Sequence, residues 1–145
     1  TAEHFATTAD VYRLTGELAL EDDMADTADG AGKTELESAR RLARMVGHDV
    51  EDFEVSTWKA LAFEFRNAQL MRLQEAFSHL VDINQDMPLV GAGAGRFLVR
   101  ALAAQMNKPY LDVESLLNTS DETTHWASVC LPAVAVASLS IDLES

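Results

Sequence analysis

The sequence predicts a helix-rich α/β protein with a parallel βαβ unit and an added helical segment. Two observations carry this prediction. A short apolar run ending at Val90, a glycine-rich turn, a helical pattern and a second apolar run at 110–113 follow one another. A strand–helix–strand order pairs its two strands in parallel. Upstream, apolar residues recur at three- and four-residue steps from Trp58 to Leu80, which predicts one long helix.

The first helix is predicted between Thr7 and Gly16. Thr7 or Thr8 can serve as its N-cap, because a hydroxyl oxygen accepts a hydrogen bond from the free amides of the first turn. Asp10 falls in that turn, where its negative charge suits the helix dipole. Gly16 can end the helix, since glycine readily adopts the left-handed conformation of a C-terminal cap.

Two further helices follow an acidic loop. Thr34 and Glu37 have the spacing of a capping box, which predicts the start of the second helix, and Gly47 predicts its end. The third helix is predicted from Ser56 to about Asn84. We expect its apolar stripe to lie in the core of the same domain rather than to form a partner surface.

The rest of the chain contains the βαβ unit and a C-terminal helix. The strand, helix and strand of the unit are predicted at 87–90, 97–106 and 110–113. Thr123 or Thr124 is predicted to cap the final helix, and Pro132 either starts its regular part or kinks it. No linker divides the sequence. It therefore predicts a single domain over 1–145, mainly helical over 1–85, with the βαβ unit and C-terminal helix over 86–145.

Composition and charge exclude several classes of partner. The chain has 145 residues, enough for one packed core, and 48% of them are apolar. Its 24 acidic and 11 basic residues give a net charge of −13. Such a chain repels phosphate backbones and anionic lipids, so we expect neither nucleic acid nor membrane as a partner. An anionic ligand would have to be held locally, by backbone amides or a few arginines.

The cysteine content and the first residues predict a cytoplasmic protein. Cys130 is the only cysteine, which excludes an internal disulfide and a cysteine-rich metal site. On the apolar side of a predicted helix, it is expected to be a buried small hydrophobe rather than a nucleophile. The sequence opens without a basic and apolar leader, and it begins with Thr1 rather than Met. The chain is therefore also expected to be a fragment or a processed piece.

The glycine-rich turn is the sharpest candidate site. Gly91, Gly93 and Gly95 alternate with Ala92 and Ala94 between a predicted strand and a predicted helix. Glycines there let backbone amides approach a ligand, and ligands of open α/β sheets lie beyond the carboxyl ends of strands. The spacing matches neither the dinucleotide fingerprint nor the Walker loop. A tight turn that only lets helix and strand pack closely remains the alternative.

Two interpretations remain open for each of three charged features of the sequence. Arg96, at a helix start that disfavours positive charge, either meets a phosphate or is a solvated surface residue. The acidic loop, including Asp26 and Asp29, either offers Mg²⁺ or Ca²⁺ ligands or is a solvated run of charges. Arg41 and Arg44, one turn apart, either face an anion or pair with local carboxylates such as Glu37 or Asp49.

Three segments together resemble a known family. They are Phe-Ala-Thr-Thr-Ala-Asp-Val-Tyr at 5–12, Asp-Thr-Ala-Asp-Gly at 26–30 followed by Arg-Leu-Ala-Arg-Met at 41–45, and Val-Gly-Ala-Gly-Ala-Gly-Arg-Phe-Leu at 90–98. They resemble the C-terminal part of hydantoinase A/oxoprolinase-like proteins encoded with tetrahydromethanopterin-linked one-carbon transfer genes. Archaeal relatives in that family include a methanofuran-biosynthesis enzyme that joins an aminomethylfuran diphosphate to an amine. The resemblance covers the chain from Phe5 to about Val113.

The resemblance implies a fold and a set of site residues. The fold is that of actin, sugar kinases and heat-shock ATPases, with two ribonuclease-H-like halves around a phosphate cleft. This chain would supply part of one half, and an N-terminal lobe carrying two further phosphate motifs would supply the rest. The glycine turn with Arg96 would meet a nucleotide or diphosphate, with Mg²⁺ as a possible cofactor. The family-pattern residues that become substrate-binding candidates, without individual roles, are Thr7, Thr8, Asp10, Asp29 and Arg44.

Three functions remain open at this point. The first is part of a transferase acting on a small phosphorylated substrate with a diphosphate leaving group, and the chain alone is expected to be inactive. The second is an ATP-dependent amide-ring hydrolase of the oxoprolinase type. The third is a non-catalytic helical module that uses the 58–80 stripe as a partner surface. A truncated half would expose apolar surface and could form a homo-oligomer.

Overall fold

The computed structural model describes residues 5–79 and 87–143. The chain divides into two compact units, Thr1–Glu75 and Ala76–Ser145, and each is described by itself. The border predicted between residues 85 and 86, and the predicted end of the long helix near Asn84, lie outside the described residues.

The first unit is helical. Its elements are α1 (Thr8–Thr15), α2 (Glu35–Met45), a short 3-10 turn (Val50–Asp52) and the start of α3 (Val55–His79). Helices α1 and α2 pack against each other through apolar side chains such as Val11, Leu14 and Leu42, each at most 7% exposed. Burial of these side chains supplies the main favourable term for holding the two short helices together.

The predicted helix ends of the first unit are confirmed. Thr7 is the N-cap of α1, and Gly16 ends it with a left-handed φ of 76°. At the start of α2, the Glu37 amide donates to the Thr34 hydroxyl at 3.3 Å, and the Thr34 amide donates to the Glu37 carboxylate at 3.0 Å. Gly47, with a φ of 79°, follows the last turn of α2 as predicted.

Helix α3 begins at Val55, one residue before its predicted start at Ser56, but its apolar stripe is less buried than expected. Trp58, Ala62 and Leu70 are at most 2% exposed, whereas Phe65 and Leu73 are 41% and 38% exposed. The expectation that the whole stripe lies in the core is therefore wrong for Phe65 and Leu73. The stripe is wide enough to extend beyond the narrow line along which α3 contacts its own unit.

The second unit contains the predicted βαβ arrangement. Strand β1 (Leu89–Gly91), helix α4 (Arg96–Gln105) and strand β2 (Tyr110–Asp112) follow in order. The strands pair in parallel, with Leu89 opposite Tyr110 and Gly91 opposite Asp112, and α4 packs on both. This confirms a helix-rich α/β chain with a two-stranded parallel sheet.

The single C-terminal helix is instead two helices, α5 (Asp121–Val129) and α6 (Leu131–Leu143). Ser120, not Thr123 or Thr124, is the N-cap of α5. The two threonine amides donate to the Ser120 carbonyl at 2.9 and 3.0 Å, which places both residues inside the helix. Among residues 5–79 and 87–143, no helix combines the length and apolar character needed to cross a bilayer.

Pro132 explains the break between α5 and α6. It lies in the first turn of α6, where its missing N–H is tolerated, so the prediction that it starts the regular helix is confirmed. In a continuous helix residue 132 would donate to the Ser128 carbonyl, which proline cannot do. Cys130 caps α5 at this break and is exposed, so its predicted burial is wrong.

Candidate functional site

The glycine turn connects the carboxyl end of β1 to the start of α4. Gly93 has a φ of 77°, and its amide donates to the Ser128 carbonyl at 3.0 Å, the carbonyl that Pro132 leaves without a helical donor. The Arg96 amide donates to the Gly93 carbonyl at 3.2 Å and closes the turn. Since Gly91 pairs with Asp112, the turn lies at the edge where both parallel strands end.

The three glycines of the turn differ in what a side chain would meet at each position. A Cβ at Gly91 would lie 2.7 and 2.9 Å from Cε2 and Cζ of Tyr110, so close packing requires glycine there. Gly93 is required by its left-handed φ. Gly95 has an ordinary φ of −91°, and a Cβ on it would meet nothing within 4 Å. Close packing therefore explains Gly91, while Gly95 borders open space in which a ligand could approach the backbone.

Arg96 is 20% exposed and lies among polar groups, so it is not a solvated surface residue. Its Nη1 donates to the Ser128 hydroxyl at 2.7 Å and lies 3.0 Å from Oε1 of Glu114. Its Nε lies 3.7 Å from Oδ2 of Asp112. The guanidinium is thus held in place at the strand edge by two carboxylates.

Asp112 links the end of β2 to this cluster. Its carboxylate accepts hydrogen bonds from the Tyr110 hydroxyl at 3.0 Å and from the Glu114 amide at 3.2 Å. Burial, followed by the hydrogen bond and the charge of Asp112, raises the pKa of Tyr110. Sequence reasoning missed Asp112 and Glu114. The usable signal was that Asp112 occupies the carboxyl end of the second parallel strand.

Substituting Gly91 tests the close approach to Tyr110. We expect Gly91→Ala to lower the free energy of unfolding by about 1–3 kcal/mol, because the added methyl overlaps the phenol ring. Urea unfolding followed by far-UV circular dichroism measures the change. The cost should shrink in a Tyr110→Val background, and Gly95→Ala should be neutral because its Cβ enters open space. Equal costs in both backgrounds would contradict this packing.

A buried ion-pair network organises the first unit. Arg41 and Asp10 are both fully buried, and Nε of Arg41 donates to Oδ1 of Asp10 at 2.9 Å. Nη1 of Arg41 donates to Asp29 at 2.9 Å, and Nη2 donates to the Gly32 carbonyl at 3.0 Å. The expected pairing of Arg41 with local carboxylates such as Glu37 is therefore wrong. The guanidinium instead ties α1, the acidic loop and α2 together.

The charge state of Asp10 follows from these contacts. Burial acts to raise the pKa of this carboxyl group. Hydrogen bonds from Arg41 and from the Thr7 amide, together with the charge of Arg41, outweigh burial, and the pKa of Asp10 is lowered. The hydrogen bond from the Ala31 amide, together with the hydrogen bond and the charge of Arg41, likewise lowers the pKa of Asp29. Both carboxylates are therefore ionised at neutral pH and neutralise Arg41.

The acidic loop is anchored rather than wholly solvated. Asp23 is 7% exposed, and its carboxylate accepts a hydrogen bond from Nε of Arg13 at 2.6 Å. Nζ of Lys33 also donates to the Asp23 carbonyl at 2.5 Å. The interpretation of the loop as a solvated run of charges is wrong at Asp23, because α1 supplies Arg13 as a buried partner.

The metal and anion candidates of this unit do not converge. In the part of the chain that the structure describes, no group of three or more histidine, cysteine, aspartate or glutamate side chains could hold a metal. Asp29 is engaged by Arg41, and Asp26 is exposed. Arg44 is exposed, and no carboxylate among residues 5–79 and 87–143 is paired with it. Of the family-pattern residues, the structure brings together Thr7, Asp10 and Asp29 but not Arg44.

A cavity of about 550 Å³ lies between α1, α2 and α3 within the first unit. Its lining includes Thr7 and Thr8, and it continues over Gln69 and Arg72 of α3. The hydroxyl of Tyr12 donates a hydrogen bond to Oε1 of Gln69. Sequence reasoning did not find this cavity, because it depends on the angle at which three separate helices meet.

Comparison with known proteins leaves the family resemblance untested. No model of a known protein family matches the chain, and no curated protein matches it. The resemblance of the segments at 5–12, 26–30, 41–45 and 90–98 therefore stays a prediction, and so does the ribonuclease-H-like fold that it implies.

Proposed function

We propose that the second unit binds the diphosphate group of a small phosphorylated substrate. The observation that supports this proposal is the position of Gly95 and Arg96. Gly95 borders open space at the start of a ten-residue helix, and Arg96 lies beside it at the carboxyl edge of two parallel strands. A guanidinium is a group that recognises phosphate oxygens, and it carries the proposal because the Arg96 and Leu98 amides already donate to the Gly93 and Gly95 carbonyls.

The carboxylates beside Arg96 determine whether a free diphosphate or a magnesium-bound diphosphate fits this site. Asp112 and Glu114 flank Arg96, and Arg100 also lies 3.3 Å from Asp112, so the carboxylates offset much of the positive charge that a bare phosphate would meet there. Oε1 of Glu114 is buried and makes no hydrogen bond to any residue that the structure describes, although Nη1 of Arg96 lies 3.0 Å away. Magnesium in phosphate sites is commonly held by one or two carboxylates plus the substrate phosphates. We therefore propose a magnesium–diphosphate ligand, with Asp112 and Glu114 as the residues that would hold the ion.

The reaction we propose follows from the family resemblance. The chain would be part of a transferase of methanofuran- and tetrahydromethanopterin-linked one-carbon metabolism, coupling an aminomethylfuran diphosphate to an amine. The residues of this chain would bind and orient the diphosphate, and Arg96 would stabilise the negative charge that develops as it departs. Bound Mg²⁺ would neutralise part of that charge. An N-terminal lobe would form the opposite wall of the cleft.

Calorimetric titration tests the ligand. We expect the full chain to bind pyrophosphate or ATP when Mg²⁺ is present, and binding to weaken by about tenfold in Gly95→Val, whose side chain would occupy the open space at the start of α4. Ala104→Val, on the exposed side of the same helix, is the matched control and should bind normally. Gly93→Val is less suitable, because the φ of 77° at Gly93 would strain a valine.

Three results separate the proposals. Binding that survives Gly95→Val unchanged would place the ligand elsewhere. An absence of binding to the chain joined to the proposed N-terminal lobe would overturn the phosphate site altogether. If the joined protein hydrolyses cyclic amides at the expense of ATP and does not couple the diphosphate to an amine, the oxoprolinase-type alternative replaces the transferase.

A further inference from the structure

We infer that the cavity of the first unit is a binding site for a small, mainly apolar molecule that carries one anionic group. This site shares no residue with the proposed diphosphate site, since all its lining residues belong to the first unit. Its volume of about 550 Å³ lies in the range of pockets that enclose small organic ligands.

The cavity wall is mainly apolar and incompletely covered. Val11 of α1 and Leu42 of α2 form its buried floor. Met45 and Phe65 also line it, and they are 44% and 41% exposed. Leaving such large side chains in water forgoes the free energy that their burial would contribute. A ligand with an apolar body would cover both, and the flexible Met45 can adjust to its shape.

The residues of α3 that line the cavity all lie on one face of the helix. Phe65, Ala68, Gln69 and Arg72 all line it and are spaced three, four and seven residues from the first, so they share one helix face. Arg72 therefore lies two turns beyond Phe65, a separation of about 10 Å along the helix axis. This distance fits a molecule whose apolar body lies on Phe65 and whose charged group reaches Arg72.

Arg72 supplies the charge complementarity. It is exposed, and among residues 5–79 and 87–143 no carboxylate is paired with it. Arg66, six residues earlier on the same helix, differs because it donates to the Glu17 carboxylate at 2.7 Å. In a chain with 24 acidic residues, an arginine left beside an apolar cavity favours an anion as the charged group. Thr8 of α1 also lines the cavity and adds a hydroxyl, whereas the Thr7 hydroxyl already donates to Oδ2 of Asp10 at 3.4 Å.

Two fluorescent probes test the site and its charge preference. Anilinonaphthalene sulfonate has an aromatic body and one anionic group, whereas phenylnaphthylamine has a similar body without the charge. We expect both to bind the full chain with one site each. Arg72→Gln should weaken sulfonate binding by about fivefold and leave the neutral probe unchanged. Arg44→Gln is the matched control, because Arg44 is also exposed and unpaired in the described residues but does not line the cavity.

Substitutions that fill the cavity test whether the probes bind there or on other apolar surfaces. Ala68→Trp should weaken both probes by about tenfold or more, since the indole would occupy their space. Ala60→Trp, exposed on the same helix away from the cavity, should leave both unchanged. Ala68→Leu repeats the test with a smaller side chain if circular dichroism shows that the tryptophan variant is misfolded.

The outcomes are distinct from those of the diphosphate site. Equal binding in the Ala68 and Ala60 variants would show that the probes bind elsewhere and would overturn the site. Equal weakening of both probes by Arg72→Gln would overturn the preference for an anion. Gly95→Val should not affect either probe, so failure here and failure of the proposed function are read from different variants.

Discussion

Replacing Arg41 with methionine should lower the free energy of unfolding of the first unit by about 3–5 kcal/mol. The variant removes the guanidinium that contacts Asp10 at 2.7 and 2.9 Å while keeping apolar bulk. Asp10 would remain fully buried with a charge that has lost one of its two arginine partners. Arg13, whose Nη1 lies 2.7 Å from Oδ1 of Asp10, persists and places the expected cost towards the lower end of that range.

Tryptophan fluorescence measures this change in urea. Trp58 belongs to the first unit, so a Trp126→Phe background makes the signal specific to that unit. Arg40→Met is the matched control, because Arg40 is 40% exposed and its contact with Glu51 is 3.7 Å long. We expect the control to change stability by less than about 1 kcal/mol. A loss of similar size in both variants would contradict a stabilising role for the buried network.

The pH dependence gives an independent check with a defined sign. The pKa of Asp10 is lowered in the folded state, so its contribution is fully present above the ordinary value of 3.8 and is lost as the pH falls through the folded pKa. We expect the stability of the parent chain to fall below about pH 4. In Arg41→Met the pKa is lowered less, so the difference in stability between the two proteins should narrow as the pH falls through this window.

Replacing Trp58 with alanine should also cost about 3–5 kcal/mol, because the indole is 2% exposed and fills a large volume. Its Nε1 donates to the Val50 carbonyl at 3.0 Å, and its ring packs edge-on to Phe53 with centroids 5.6 Å apart. These contacts join α3 to the 3-10 turn that follows α2. Losing them should therefore loosen the start of α3 as well as leave a cavity.

Trp58→Phe separates the hydrogen bond from the packing. Phenylalanine keeps much of the apolar volume but leaves the buried Val50 carbonyl without its donor, which should cost about 1–3 kcal/mol. Urea unfolding followed by far-UV circular dichroism compares the variants. Trp126→Ala is the control, since Trp126 is 44% exposed and should contribute far less. A cost for Trp58→Phe as large as that for Trp58→Ala would assign the whole effect to the hydrogen bond.

Local sequence signals predicted the elements of this fold well. The capping box of Thr34 and Glu37 and the left-handed glycines at 16 and 47 are confirmed, because each acts within one turn of its helix. The parallel pairing of β1 and β2 follows from their separation by one helix. The N-cap of α5 was misplaced, because Ser120, Thr123 and Thr124 all offer hydroxyls within one turn.

The candidate site was predicted only in part. The position of the glycine turn at the strand edge could be inferred from strand–turn–helix order. The carboxylates that hold Arg96 could not, because Asp112 and Glu114 reach it from 16 and 18 residues away. The exposure of Cys130 likewise depends on the helix break at Pro132.

The sequence by itself determined the ends of α1 and α2, the parallel βαβ order and the acidic character of the chain, because these depend on neighbouring residues and composition. Only the tertiary structure decided that Arg41 is buried against Asp10, that Arg96 is held by two carboxylates, and that three helices enclose a cavity beside Arg72. The strength of an ion pair depends on the distance between the two charges in space and on how deeply they are buried. Neither quantity is encoded by spacing along the chain.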